Sequence, residues 1–362
     1  MINELNDTSQ SAAASEEQLL QGETVAAQEV EREGFSLGRS LRNPRTLISF
    51  GIAIAIVTFA FRSFGIKWDE TWAVMRGADW RMLLLGLIIF YMTFPLRAFR
   101  WRLLLNNAGV PVHEGRKSWA SMPALMEYMY LSWFANCIVP AKLGDAYRGY
   151  LLKHNGKVSF ASTFGTIFAE RLLDMLGLFG FLVVSGWFVF GTQLPPETNI
   201  IFGAGLALVV IILAGLAGMR WFSPYIRRFV PERLHAKYEP FEQAALRSFS
   251  PSILPTLTLL TVSIWLLEGC RLFFVIESLS HEGLQLTLPM IIFVALASSL
   301  LTAVPLTPAG LGVVEGTITA VLTKIVHVGA PLAAAVTILD RAINFWSIVF
   351  FGFFVYLFSK RK

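Results

Sequence analysis

The sequence predicts an all-α polytopic membrane protein: about six full spans plus two re-entrant hairpins, arranged as an inverted repeat. Three observations carry this. The 362 residues are 55% hydrophobic and only 15% charged, with a mean hydropathy of +0.58. That is far more apolar than a soluble domain requires, and several runs approach or exceed the roughly 20 residues that cross a bilayer. The Lys and Arg residues gather in loops between these runs, where they set the orientation of spans. A polar constellation then occurs twice, about 165 residues apart, inside apolar sequence.

Taken in order, residues 1–45 form a polar tail, acidic and rich in Ala, Ser and Gln up to about residue 38. No apolar run follows a basic start there, so the tail reads as disordered and cytoplasmic rather than as a signal peptide. Arg39, Arg42 and Arg45 precede a first span at 46–64. Trp68, Trp72 and Trp80 mark a short helix at headgroup level, the zone that Trp favours. A second span at 82–99 runs into a basic cluster of Arg97, Arg100 and Arg102, read as a topology determinant at the interface, and continued by Arg116 and Lys117.

Further apolar segments lie at 118–139, 158–190, 200–219, 253–279, 288–304, 311–326 and 331–358. The basic, aromatic stretch 220–252 separates half one (about 80–219) from half two (about 253–358) and reads as an amphipathic cytoplasmic segment. Gly203, Gly205, Gly215 and Gly218 read as helix-packing notches. Lys360, Arg361 and Lys362 place the C-terminus in the cytoplasm as well.

These charges constrain topology. If the basic loops near 100–117 and 220–250 are both cytoplasmic, an even number of crossings separates them, and segment 118–139 makes an awkward third. The parity is restored if 118–139 enters the bilayer, breaks at VPAKLGD and returns to the same side. Irregular backbone is tolerated at membrane depth where protein or water lines it. Half two repeats the logic from the opposite face, breaking at PLTPAGLG. Eight or nine ordinary spans is the alternative.

The expected breaks are Pro140 and Gly144 in the first hairpin, and Pro305, Pro308, Gly310 and Gly312 in the second. Proline removes a backbone donor, and glycine takes conformations that other residues resist. Just beyond each break stands an acid, Asp145 or Glu315, and further on an acid–arginine pair, Glu170–Arg171 or Asp340–Arg341. A charge costs about 2.5–3.5 kcal/mol at a helix centre on insertion scales, so such residues persist mainly where they serve a purpose.

Lys142 and Arg148 flank the first break. A half-helix N-terminus with two cations is a ready anion site, and the planar fork of Arg suits phosphate. Two readings stand side by side: a phosphate-bearing headgroup held at the tip, or internal ion pairs that fix the hairpin. Glu170 and Asp174 share a helix face four residues apart, with Arg171 one turn from Asp174, about 18 Å into their segment and so near mid-bilayer. Each arginine can neutralise its neighbouring acids and tie its helix to a hairpin, or touch substrate. Glu268 and Arg271 stand one turn apart and can neutralise each other.

The net charge of +5 and pI near 9.3 come from loop residues, which excludes a nucleic-acid groove. Cys137 and Cys270 lack any CxxC spacing, and the five histidines lack metal-ligand spacing, so neither metal nor cofactor is expected. GxSxG, HExxH, Walker and dinucleotide signatures are absent.

The ordered motifs, with Arg100, Trp101 and Arg102, then Asn136, Pro140, Gly144, Asp145 and Arg148, then Glu170, Arg171 and Asp174, then Pro305, Pro308, Gly310, Gly312 and Glu315, then Asp340 and Arg341, resemble the flippase-like family. This is the transmembrane part of lysylphosphatidylglycerol synthase, the multiple peptide resistance factor. The resemblance covers about 46–358. It implies a multi-pass protein of the bacterial cytoplasmic (inner) membrane tied to lipid translocation: aminoacylated phosphatidylglycerol in the best-understood members, hopanoid or polyprenyl-linked glycans in others. A soluble aminoacyl-transfer domain is missing, so the chain is not expected to make the aminoacyl-lipid.

The expectation is therefore a non-enzymatic flippase or transporter of an anionic or phosphate-bearing lipid. Its substrate-binding candidates are Lys142, Asp145, Arg148, Glu170, Arg171, Asp174, Glu315, Asp340 and Arg341. The alternatives are a membrane scaffold for envelope synthesis and an intramembrane lipid-headgroup transferase. The partners implied are a membrane lipid, and a second copy of the chain or an envelope-synthesis enzyme.

Overall fold

The computed structural model describes residues 65–361, apart from 111, 113–118, 140–142, 192–197, 222–224, 226–231, 284–285 and 302–309, together with isolated positions between 51 and 62. The tail 1–45 and nearly all of the expected span 46–64 lie outside the described residues. Among those described, the regular structure is entirely helical. Five helices are long and apolar enough to cross a membrane: Trp80–Asn107, Phe160–Phe190, Phe202–Trp221, Leu254–Glu277 and Ala330–Phe358. These are five of the six spans expected.

The chain opens on α1 (Trp68–Arg76), a short amphipathic helix. It exposes Trp68 and Trp72 and buries Thr71. Asp79 caps the next helix, α2 (Trp80–Asn107), by accepting a hydrogen bond from the Arg81 N–H at 2.8 Å. The helices α3 (Met122–Ile138) and α4 (Leu143–Gly156) follow, separated by the expected break. Then come the long α5 (Phe160–Phe190), α6 (Thr198–Trp221) and the polar α7 (Glu232–Arg247). The second part contains α8 (Leu254–Glu277), α9 (Leu288–Leu301), α10 (Val313–Ala320), α11 (Ala330–Arg341) and α12 (Ser347–Phe358). A π-helical turn at Ala342–Trp346 joins α11 to α12 in one continuous rod, and another, Val321–Ile325, ends α10.

The centre of the molecule is the α2–α8 pair. Asp79 donates its N–H to the Ser278 carbonyl, Gly86 lies against Phe274, Arg97 meets Glu268, Arg100 meets Thr261, and Leu104 packs with Leu257. Partner numbers fall as α2 advances, so the two helices run antiparallel. Phe90, Phe94, Arg97, Ala98, Trp101, Leu104 and Leu105 recur three or four residues apart along the buried stripe of α2. Arg97 and Arg100 are in this stripe, in the interior. The interfacial role read for them from sequence is therefore corrected: a basic cluster at a span's end looks like a topology signal, but these two arginines lie on the helix face that packs inward.

The α3–α4 pair is also antiparallel. Gly144 lies against Ser132 and Asn136, Arg148 reaches Met129, and Gly156 sits on Trp119. Gly144 serves here by close approach rather than by unusual backbone torsion. A Cβ at this position would stand 2.1 Å from the Ser132 carbonyl oxygen, whereas its φ is not positive. Gly310 and Gly312 do take positive φ, +70° and +86°, as a turn into α10 demands. Pro140, Pro305 and Pro308 lie outside the described residues.

Candidate functional site

The polar side chains that α2, α4, α5, α8, α10 and α11 turn inward form two clusters, which together hold six arginines and six carboxylates. In one, Arg100 donates from Nη1 to Asp174 at 2.6 Å and to the Thr261 hydroxyl at 2.8 Å. Its Nη2 donates to Glu170 at 3.2 Å, so one side chain ties α2 to α5 and α8. Arg148 donates to the other oxygen of Glu170 at 2.9 Å and to the Met129 sulfur at 2.9 Å, and its guanidinium lies over the Trp101 ring. The side chains of Arg100 and Arg148 are both 0% exposed.

Arg171, next in sequence to Glu170, also faces α4. It grips Asp145 with a two-point fork, Nε at 2.8 Å and Nη2 at 2.6 Å, and its Nη1 stands 3.8 Å from Asp174. In the second part, Arg341 donates from Nε to Glu315 at 2.8 Å and reaches Asn344 at 3.2 Å. The second Glu315 oxygen accepts the Gly312 N–H at 2.7 Å. Asn344 donates to Asp340, which also pairs with Arg271. Arg271 contacts Glu268 at 3.2 Å, and Glu268 also pairs with Arg97 at 2.9 Å.

All the expected site residues that are described lie in these two clusters: Asp145, Arg148, Glu170, Arg171 and Asp174 in one, Glu315, Asp340 and Arg341 in the other. Lys142 lies outside the described residues. The arginines tie helices to hairpins, as one of the sequence readings held: Arg171 joins α5 to α4, and Arg341 joins α11 to α10. Arg171 takes Asp145 as its partner, leaving Glu170 to Arg100 and Arg148. Arg148 is sealed between Trp101, Met129 and Glu170. Among the described residues at the breaks, the Gly312 N–H is held by Glu315. Gly144 donates its N–H to the Asn136 side chain at 2.9 Å.

Sequence reasoning left Arg97, Arg100, Glu268 and Arg271 out of the site. The signal that would have included them was spacing. Arg97 and Arg100 sit one turn apart in register with Phe90, Phe94, Trp101 and Leu104, which is the pattern of an inward face rather than of a span's end.

The arrangement is chemically a balanced ionic lattice. Every guanidinium meets at least one carboxylate, so charges that would be costly in a low-dielectric interior are offset in place. The model of the lysylphosphatidylglycerol synthase TM region matches residues 46–352. The chain belongs to this family. A UPF0104 membrane protein of Methanocaldococcus jannaschii is 36% identical over 229 residues, 63% of this chain and 95% of that protein. One from Pyrococcus horikoshii is 23% identical over 327 residues, covering 83% and 92% of the two chains. The glycosyltransferase AglD of Haloferax volcanii is 23% identical over 334 residues, 83% of this chain and 52% of that one. The family match covers all twelve helices down to residue 352, and thus both ionic clusters.

Proposed function

We propose that the protein is a lipid flippase or transporter of the cytoplasmic membrane, not an enzyme, that moves a phosphate-bearing lipid between leaflets. Six spans and two re-entrant hairpins form it, related as an inverted repeat, with both termini cytoplasmic. The observation that carries this reading is the doubled linkage between hairpin and long helix: Arg171 to Asp145 and Arg341 to Glu315, each across 26 positions. A shift of 170 positions carries Asp145, Glu170, Arg171 and Asp174 onto Glu315, Asp340, Arg341 and Asn344.

The packing supports the same correspondence. α2 packs on α3 as α8 does on α9, and α3 packs on α4 as α9 does on α10. α4 packs on α5 as α10 does on α11, and α5 packs on α9 as α12 does on α3. Even the polar helices agree, α1 lying on α11 as α7 lies on α5. The counterparts α2 and α8 run antiparallel, which an inverted relation requires. Transporters built this way bring interrupted helices together near the midplane, where their site lies. α3 has 17 residues and α4 has 14. At 1.5 Å per residue these are about 25 and 21 Å long, short of a hydrocarbon core of about 30 Å, which favours entry and return over two crossings.

The test is reconstitution of the full chain in vesicles with headgroup-labelled phospholipids, following loss of outer-leaflet label to a membrane-impermeant quencher. Acceleration over protein-free vesicles is expected for at least one phosphate-bearing lipid. No acceleration for any of them sinks the reading and leaves the scaffold. Chemical conversion of a lipid headgroup on incubation would instead favour the transferase.

A further inference from the structure

The two hairpin-to-helix locks are built differently, and the difference identifies which one opens. Glu315 is held from two directions: one oxygen by Arg341, the other by the Gly312 N–H at the turn into α10. If Arg341 lets go, Glu315 stays where it is. Asp145 gives both its oxygens to Arg171. The exposures differ in the same sense. The Arg171 side chain is 28% exposed and that of Arg341 only 8%. The remaining arginines of the two clusters are at 7% or below.

From these contacts we infer that Asp145 is a displaceable internal anion, occupying on Arg171 the place that a substrate phosphate takes. This rests on the lipid-translocation reading above and names the residue pair that exchanges. A guanidinium edge that holds two carboxylate oxygens in a parallel fork holds two phosphate oxygens by the same geometry. Arg171 is also the one arginine of the two clusters whose side chain is substantially open to an incoming group. The third nitrogen of Arg171, 3.8 Å from Asp174, is beyond hydrogen-bond range of that carboxylate. Exchange removes one of the two ionic ties between α4 and α5, the partly exposed Arg171–Asp145 pair, and leaves the buried Arg148–Glu170 pair in place. Substrate arrival and loss of the Asp145 tie are then one event. Arg148 has no part in this exchange, being sealed against Trp101 with Glu170.

The experiment uses the full chain in detergent. Binding of dioleoyl-phosphatidylglycerol is measured against dioleoylglycerol, which has the same chains and no phosphate, with inorganic phosphate as a third ligand. Asp145→Asn removes the competing charge. It should bind the phospholipid roughly tenfold more tightly, equivalent to about 1.4 kcal/mol, with the diacylglycerol unchanged. Equal or weaker binding by Asp145→Asn at equal folded yield overturns the inference. Arg171→Lys keeps the charge and loses the fork, so the preference of the parent for phospholipid over diacylglycerol should fall roughly tenfold. Should Asp145→Asn fail to fold, this second variant decides, and an undiminished preference overturns the exchange. Competition by inorganic phosphate against bound phospholipid supports a site that reads the phosphate itself. Free phosphate binding without any phospholipid binding overturns the lipid as its source. Vesicle translocation by the parent separates the two levels. A parent that moves lipid while Asp145→Asn shows no gain loses the exchange but keeps the function. A parent that neither binds nor moves lipid loses both.

Discussion

Replacing Arg100 by Met tests whether the ionic lattice, rather than apolar packing alone, fixes α2 against α5 and α8. The guanidinium is fully buried and makes three hydrogen bonds, to Asp174, Thr261 and Glu170. Its removal affects the two acids unequally. Glu170 keeps Arg148 at 2.9 Å, but Asp174 is left with Arg171 at 3.8 Å, beyond hydrogen-bond range. Breaking a buried ion pair from one side costs about 3–5 kcal/mol, because the surviving charge is stranded. At 1.4 kcal/mol per tenfold, the folded-to-unfolded ratio should drop by roughly two to four orders of magnitude. The stranded carboxylate accounts for most of this, so adding Asp174→Asn should return about half of the loss. The assay is reversible unfolding in mixed micelles by a denaturing detergent, followed by far-UV circular dichroism. A loss below about 1 kcal/mol for Arg100→Met, within the range of exposed pairs, would refute the reasoning. So would a double variant no more stable than the single.

Three further outcomes follow from the packing. Gly144→Ala should lower the thermal midpoint and the folded yield, costing about 2 kcal/mol or more, since its Cβ meets the Ser132 carbonyl oxygen at 2.1 Å; Gly203→Ala, with nothing within 4 Å, should be neutral by the same measurement. A double-mutant cycle of Arg97→Gln and Glu268→Gln should give a coupling of about 1 kcal/mol or more, as their 2.9 Å contact requires, and additive losses would contradict it. Single cysteines at Ala108 and Lys157, flanking the α3–α4 hairpin, should react with an impermeant reagent from the same face of the membrane; labelling from opposite faces would favour two ordinary crossings.

The helical class and five of the spans were legible because membrane insertion imposes a coarse, additive signal: twenty apolar residues read alike wherever they pack. The acids and arginines of the site were legible for the complementary reason, that charge inside an apolar run stands out. Their partners were not. Arg171 lies one residue from Glu170 and one turn from Asp174, so local spacing pairs it with them, yet it bonds Asp145 on another helix. That choice depends on how α4 docks on α5, a matter of helix placement that one-dimensional spacing does not encode. Arg97 and Arg100 were misplaced for the opposite reason. Their position near a span's end is a strong topology signal, whereas the inward stripe that overrides it emerges only when α2 is followed as a 28-residue helix reaching Asn107.

The differences between the two halves say more about the site than their likeness. A shift of 171 positions, one more than that of the residues from Asp145 onward, sets Arg97 against Glu268, and they meet each other directly between antiparallel counterparts. Two identical halves would bring like charge against like charge there, as any self-complementary contact must. Only a duplicated and diverged chain can place opposite charges at such a point. The same logic governs the remaining substitutions. The 170-position shift sets Arg148 against Ile318 and Asp174 against Asn344. One half thus carries an extra cation and an extra anion, and the other carries neither. Arg148 balances Glu170, which releases Arg100 to hold Asp174 more closely, at 2.6 Å against 3.2 Å. The added Arg148–Glu170 pair is buried and joins α4 to α5 beside the Arg171–Asp145 pair, so in this half the partly exposed Arg171 is not the only ionic tie between those helices.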